Sequence, residues 1–231
     1  MDSIAAVMFE PVGCLAEFQA EEFDIAAHEA FGAAGEQEGG GSRAYWRLLG
    51  LIEQTGSAIT AANLARLEEL ELAAAERAEV YEDVLPALEK LRAAGVRAYL
   101  VSSLSRRAVA RFIDRFSLTD LLVASIARDE AKGVMAQPLR HALEQAALDP
   151  QRVVYLVDTA EALDMAKPLG LNTLLMINDY DDGRFLAERN PAGGVVSLAE
   201  LADALLLIEQ RAGLRSSARL PLKPFELFDP G

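Results

Sequence analysis

The order of the apolar runs predicts an α/β protein: a parallel sheet with helices on both faces, interrupted after its first strand by an all-helical insertion. Three observations carry this expectation. Short, dense apolar runs recur at 4–9, 96–101, 121–126, 153–157 and 174–177, as strands buried on both faces require. Segments with helical spacing separate the later runs, and parallel strands need a helix's length of chain between them. Residues 17–79, directly after the first run, read almost wholly as helix. The expected division is an α/β core at 1–16 and 80–212, a helical insertion at 17–79 and an extended tail at 213–231.

The first run is Ile4-Ala5-Ala6-Val7-Met8-Phe9. Glu10-Pro11 stops it, and Gly13 permits a tight loop. In the insertion, Phe18, Phe23, Ile25, Ala26 and Phe31 begin one helical stretch, which Gly39-Gly40-Gly41-Ser42 breaks. Tyr45, Trp46, Leu48, Leu49 and Ile52 mark a second stretch, and Tyr45 and Trp46 read as core residues of the insertion. Ala61 to Glu79, rich in strong helix formers, is the third. Its Glu68-Glu69-Glu71 cluster reads as a solvated face. Asp83 is placed to cap a helix bearing Leu85, Leu88 and Leu91, and Gly95 to end it. Helices are then expected at Arg106–Phe116, Pro138–Ala147, Ala160–Leu169 and Leu198–Arg211, with strands at Val96–Val101, Leu121–Ile126, Val153–Val157 and Leu174–Ile177. In the tail, Leu220, Leu222, Phe225, Leu227 and Phe228 stand among prolines. Exposing them would cost about 25 cal/mol per Å², so the tail is expected to be buried, with a homo-oligomer contact as its favoured partner.

Of the 231 residues, 52% are hydrophobic and 25% charged, which excludes wholesale disorder. Lys plus Arg number 22 against 36 Asp plus Glu, a net charge of −14. Such a chain repels phosphate backbones, so no nucleic-acid partner is expected. The lone Cys14 cannot form an internal disulfide or a structural zinc site, and reads as a small buried hydrophobe. No apolar run has the length to span a bilayer and no leader pattern opens the sequence, so a cytoplasmic setting without a membrane partner is expected.

Ligand sites in open parallel sheets lie outside the carboxyl ends of the strands. Four loops therefore carry the functional argument: Glu10 to Leu15, Ser102 to Ser105, Asp129 to Lys132, and Asp158-Thr159. In order and spacing they resemble the haloacid dehalogenase-like (HAD) superfamily, phosphoglycolate-phosphatase-like branch, over about residues 4–208. Val84 to Ser103 is similar to that family's second motif. Asp149 through Asp158-Thr159 to Gly170-Leu171 is similar to its fourth. The resemblance implies a Rossmann-like core with a helical cap, and a Mg²⁺-dependent phosphatase chemistry. A first Asp attacks phosphorus, and a second, two residues on, protonates the leaving alcohol. A Ser or Thr and a Lys hold the phosphoryl group, while acidic residues of the fourth motif help hold Mg²⁺.

On that pattern Glu10 stands at the nucleophile position and Val12 at the acid–base position. Ser102 keeps the hydroxyl of the second motif, with Ser103 beside it. Lys132 lies near the phosphate-binding lysine, displaced by about one residue. Asp158 keeps the first acid of the fourth motif, but the position four residues on is Ala162, with Asp164 in another helical phase. Glu10 and Asp158 are the carboxylates left for Mg²⁺. The extra methylene of Glu10 moves its oxygens by on the order of 1 Å, which can cost about a hundredfold. Val12 cannot transfer a proton, a loss typically worth about 10² to 10⁴. Pro11 removes a backbone N–H from the loop.

Each residue also has a plain reading: Glu10 as a carboxylate bonded to loop N–H groups, Ser102 as a loop cap, Lys132 as a surface lysine, Asp158 as a helix N-cap. His28 and His141 read as structural, and Asp179 to Gly183 lacks the distal Glu of a calcium loop. The residues thus favour a HAD-like protein impaired as a phosphatase, acting on a small anionic ligand or a protein partner. The alternative is a working hydrolase for an activated phosphate, whose leaving group needs no proton.

Overall fold

The computed structural model describes residues 3–32, 40–55 and 60–217, the last six of these by backbone alone. Its centre is a parallel sheet. β1 (Ala6–Phe9) pairs with β4 (Arg97–Val101) on one side and β6 (Val153–Val157) on the other, aligning Phe9 with Leu100 and with Leu156. β5 (Ala124–Ile126) extends the sheet beyond β4, and β7 (Asn172–Met176) and β8 (Gly193–Val195) extend it beyond β6. Every residue of β1 and β6 is buried, which is why these strands read as unbroken apolar runs. β8 was not expected, because Gly193-Gly194 gives no apolar run; it pairs only with β7. β5 is shorter than expected: Thr119–Leu121 forms a 3₁₀ turn instead.

Helices cover the sheet: α5 (Val84–Ala93), α6 (Arg106–Arg115), α7 (Arg128–Ala131), α8 (Ala136–Gln145), α9 (Ala160–Ala166), α10 (Tyr180–Ala187) and α11 (Leu201–Ser217). Gly95 follows α5 at φ 74°, in the left-handed region expected of a helix stop. Asp83 stands at the N-cap of α5, but its side chain makes no cap bond there. Its Oδ2 accepts instead from Ala199 N–H at 3.3 Å and from the Ser197 hydroxyl. α8 begins two residues before Pro138, which sits in the first turn, where its missing N–H has no intrahelical partner to lose.

Between β1 and α5 lie a single turn, α1 (Pro11–Cys14), and three long helices, α2 (Ala20–Phe31), α3 (Gly41–Thr55) and α4 (Ala61–Arg77). The chain leaves through β2 (Ala16–Glu17) and returns through β3 (Glu79–Val80), an antiparallel ribbon too short to show a sequence pattern. The helical layer and the sheet share one continuous buried core. Phe18 stacks on Phe112 of α6 at 5.7 Å and on Phe23 of α2 at 6.1 Å. α4 lies along α6, with Arg111 Nε donating to Glu76 at 2.6 Å and Arg107 paired with Glu68 at 3.0 Å.

One expectation fails here. Glu68 and Glu69 face solvent and pair with arginines, but Glu71 is 1% exposed. It lies on the buried stripe of α4 with Leu67, Leu70, Ala74 and Ala75. Its carboxylate pairs with Arg128 and accepts the Ser105 N–H at 3.0 Å. No described helix is long and apolar enough to cross a membrane. Residues 213–217 of the expected extended tail continue α11 instead, and the rest, from 218 onward, with its expected burial and inter-subunit contact, lies outside the described residues.

Candidate functional site

Strand order brings three of the four loops together: β4, β1 and β6 are neighbours, so Ser102, Glu10 and Asp158 leave the sheet side by side at its carboxyl edge. Glu10 is 3% exposed. Its Oε1 accepts the Ser102 hydroxyl at 2.6 Å, and its Oε2 accepts the Tyr45 hydroxyl at 3.2 Å and the Ser103 N–H at 3.4 Å. Tyr45, fully buried on α3, reaches in from the helical layer. Its oxygen accepts the Ser103 N–H at 3.1 Å and lies 3.4 Å from the Ser102 oxygen. Ser103 Oγ accepts Met135 N–H at 2.9 Å, tying this loop to the start of α8.

Burial pushes the Glu10 carboxyl up to about 8. The Ser102, Tyr45 and Ser103 hydrogen bonds pull against that shift, and the charge of Asp158 adds to it. Asp158, half-buried, is raised to about 7, again by burial, with the Ser42 hydroxyl pulling the other way. It does not cap α9; Thr159 does, accepting Ala162 N–H at 3.4 Å. Val12 is fully buried and presents no polar side-chain atom. Cys14 is buried as expected, its thiol donating to the Leu156 carbonyl at 3.4 Å.

Among the described residues, the remaining expected ones make no hydrogen bond to Glu10. Lys132 is exposed, at φ 54° where α7 ends. The cation that touches the Ser102–Ser103 loop is Arg128, whose Nη1 donates to the Ser103 carbonyl at 3.3 Å. Ala162 is buried, and Asp164 points outward to Arg189. His28 is exposed on α2 and His141 sits on α8. Asp179 caps α10, accepting the N–H groups of Asp181 and Asp182 at 2.9 and 3.0 Å. Two unanticipated residues complete the first loop: Asn178 Nδ2 and Tyr81 OH both donate to the Gly13 carbonyl, at 2.8 and 3.4 Å.

Gly13 sits at φ 78°, and a Cβ there would lie 1.9 Å from Asp158 Oδ2 and 2.0 Å from Ser42 Oγ. Gly13→Ala therefore meets both a left-handed backbone penalty and an overlap with packed neighbours. Urea unfolding is expected to show a loss of about 2–3 kcal/mol. An unchanged midpoint would mean that this loop does not hold the stated conformation.

Beside the Glu10 pocket, a cavity of about 880 Å³ opens between Gly13, Ser42, Tyr81, Asp158, Asn178 and Asp182. Glu10 and Tyr45 do not line it. Mg²⁺ demands a near-octahedral shell of oxygens. At this place both Glu10 oxygens are spent on Ser102, Tyr45 and Ser103. Val12 and Ala162 bring no side-chain oxygen. No group of three or more His, Cys, Asp or Glu residues disposed to hold a metal occurs among the described residues. As arranged, these side chains do not fit a resident Mg²⁺.

The family model for haloacid dehalogenase-like hydrolases matches residues 48–176, more than half of the chain. The chain belongs to that family. Among curated proteins, this HAD chain is similar to the enolase-phosphatase E1 of Enterobacter sp. (strain 638), 32% identical over 108 residues, covering 46% of this chain and 47% of the relative. It is similar also to the enolase-phosphatase E1 of Frankia alni, 33% identical over 129 residues, covering 54% and 53%. The match spans about half the length of these relatives. Solved structures share the HAD fold at low identity. A hydrolase of the haloacid dehalogenase-like family from Streptococcus pneumoniae superposes with a TM-score of 0.67 at 14% identity, covering 88% of this chain and 99% of that one. A HAD phosphatase from Thermococcus onnurineus gives 0.59 at 19%, covering 87% and 97%.

Proposed function

We propose that this HAD-family protein binds a small anion at the Ser102–Ser103 loop and is impaired as a phosphatase. The observation that carries this reading is the state of Glu10. The carboxylate at the nucleophile position is longer than aspartate, is bound through both oxygens, and is closed off beneath Tyr45. Two residues on, buried Val12 offers no proton to a leaving alkoxide. What the loop keeps is recognition chemistry: the Ser102 hydroxyl, the Ser103 N–H, and Arg128 behind them. Burial disfavours the charge on Glu10 that would otherwise repel an anion.

A second reading, hydrolysis of an activated phosphate, is favoured by the retained Ser102–Glu10 contact and by the phosphatase names of the curated relatives. A phosphatase screen with added Mg²⁺ separates the two. Wild type is expected to turn over ordinary phosphate monoesters far below roughly 1 s⁻¹, the low end of common enzyme rates. The double variant Glu10→Asp with Val12→Asp restores both acids and is expected to exceed wild type. A wild-type rate near 1 s⁻¹ that disappears in Glu10→Ala would overturn the impaired reading in favour of the second.

A further inference from the structure

We infer that Tyr45 is an internal occupant of the Ser102–Ser103 loop, its hydroxyl holding the place of an anion's oxygen so that the site is closed by the protein's own helical layer. This rests on the reading of that loop as an anion site and adds the means by which it is kept shut. An oxyanion bound there would accept the Ser103 N–H and the Ser102 hydroxyl. In the structure, the Tyr45 oxygen already takes the first at 3.1 Å and lies 3.4 Å from the second. It also donates to Glu10 Oε2 at 3.2 Å, so one phenol oxygen serves both a donor and an acceptor of the sheet edge. Buried polar groups left without a partner are costly, which makes this occupancy a strong hold on the closed form.

The tyrosine is not there merely as filler. Its ring packs on Phe23 at 5.1 Å and on Trp46 at 5.9 Å within the helical layer. Its hydroxyl makes the polar contacts to the sheet edge. A phenylalanine would keep those ring contacts and lose the hydroxyl's bonds to Glu10 and Ser103 and its approach to Ser102. A second contact holds the same two bodies together: the Glu71 carboxylate of α4, paired with Arg128 and with the Ser105 N–H. Arg128 also donates to the Ser103 carbonyl, so the fastening and the occupied loop share a residue. An anion entering the loop must expel the hydroxyl, and its apparent affinity is reduced by the fraction of molecules that remain closed.

The experiment is titration of inorganic phosphate at pH 7 by calorimetry, on wild type, Tyr45→Phe, Tyr45→Ala, and Tyr45→Phe combined with Ser102→Ala. Tyr45→Phe is expected to bind phosphate at least tenfold more tightly than wild type, and the added Ser102→Ala to remove that gain. Circular dichroism melts establish that each variant is folded; should Tyr45→Ala fail to fold, Tyr45→Phe alone decides. If folded Tyr45→Phe binds phosphate no better than wild type, the internal occupant is excluded while the anion site stands. If Tyr45→Phe binds more weakly, the hydroxyl is part of the anion's cradle and the inference is reversed. If none of the proteins binds phosphate, the anion site fails and the inference falls with it.

Discussion

Arg128→Met is expected to lower the unfolding free energy by about 3–5 kcal/mol, the usual cost of stripping one partner from a buried ion pair. The Glu71 side chain is 1% exposed and that of Arg128 11%. Without the guanidinium, the carboxylate keeps only the neutral donors of Ser105 among its described partners. Burial already raises the Glu71 pKa against the pull of Arg128. Methionine preserves most of the volume, so the loss reports the charge rather than a cavity. Urea unfolding should show a lower midpoint at unchanged slope. Adding Glu71→Gln, which keeps an acceptor for Ser105 but no charge, should recover at least half of the loss. A double variant as unstable as Arg128→Met alone would sink the ion-pair account.

Glu10→Gln is expected to abolish a pH dependence worth on the order of 4 kcal/mol. The sign follows from where the proton is held. Unfolded, Glu10 releases its proton near 4.5; folded, it keeps it until about 8. The folded state binds more protons between those values, so stability is full below about 4.5 and is lost as the pH rises through 8. Asp158, raised from 3.8 to about 7, acts with the same sign, but its partial exposure to the cavity lets water weaken its share. Glutamine is neutral throughout. At pH 8.5 the variant should be more stable than wild type by a few kcal/mol, and at pH 5 no more stable. Urea melts at pH 5, 6.5 and 8.5 test this, and parallel profiles for the two proteins would refute it.

These two residues also mark how far the sequence could be read. β1 and β6 were legible because a parallel strand buried on both faces has no place for a polar side chain, and Glu10 was legible as the carboxylate that ends such a run. β8 was not, since two of its three residues are glycine and its position comes from pairing with β7. Glu71 had a signal that charge counting hides. Residues 67, 70, 71, 74 and 75 have the spacing of one helical face, and a carboxylate on that stripe must have a partner inside. Tyr45 showed only half of itself. Its ring belongs to the apolar pattern of α3, and nothing local tells which distant loop its oxygen meets. Lys132 shows the limit of matching by residue type: one position from the expected one, it is exposed where α7 ends, while the cation bonded to the Ser103 carbonyl is Arg128.

The chain has one tryptophan, and it stands next to the residue that closes the site. Trp46 is 3% exposed, edge-on to the Tyr45 ring, with an indole N–H that has no hydrogen-bond partner among the described residues. An indole in such dry surroundings emits at short wavelength, and water or a polar partner shifts the emission to the red. Withdrawal of Tyr45 leaves the neighbouring indole to be wetted, so a single emission band, with no label attached, reports the open fraction of the molecule in real time.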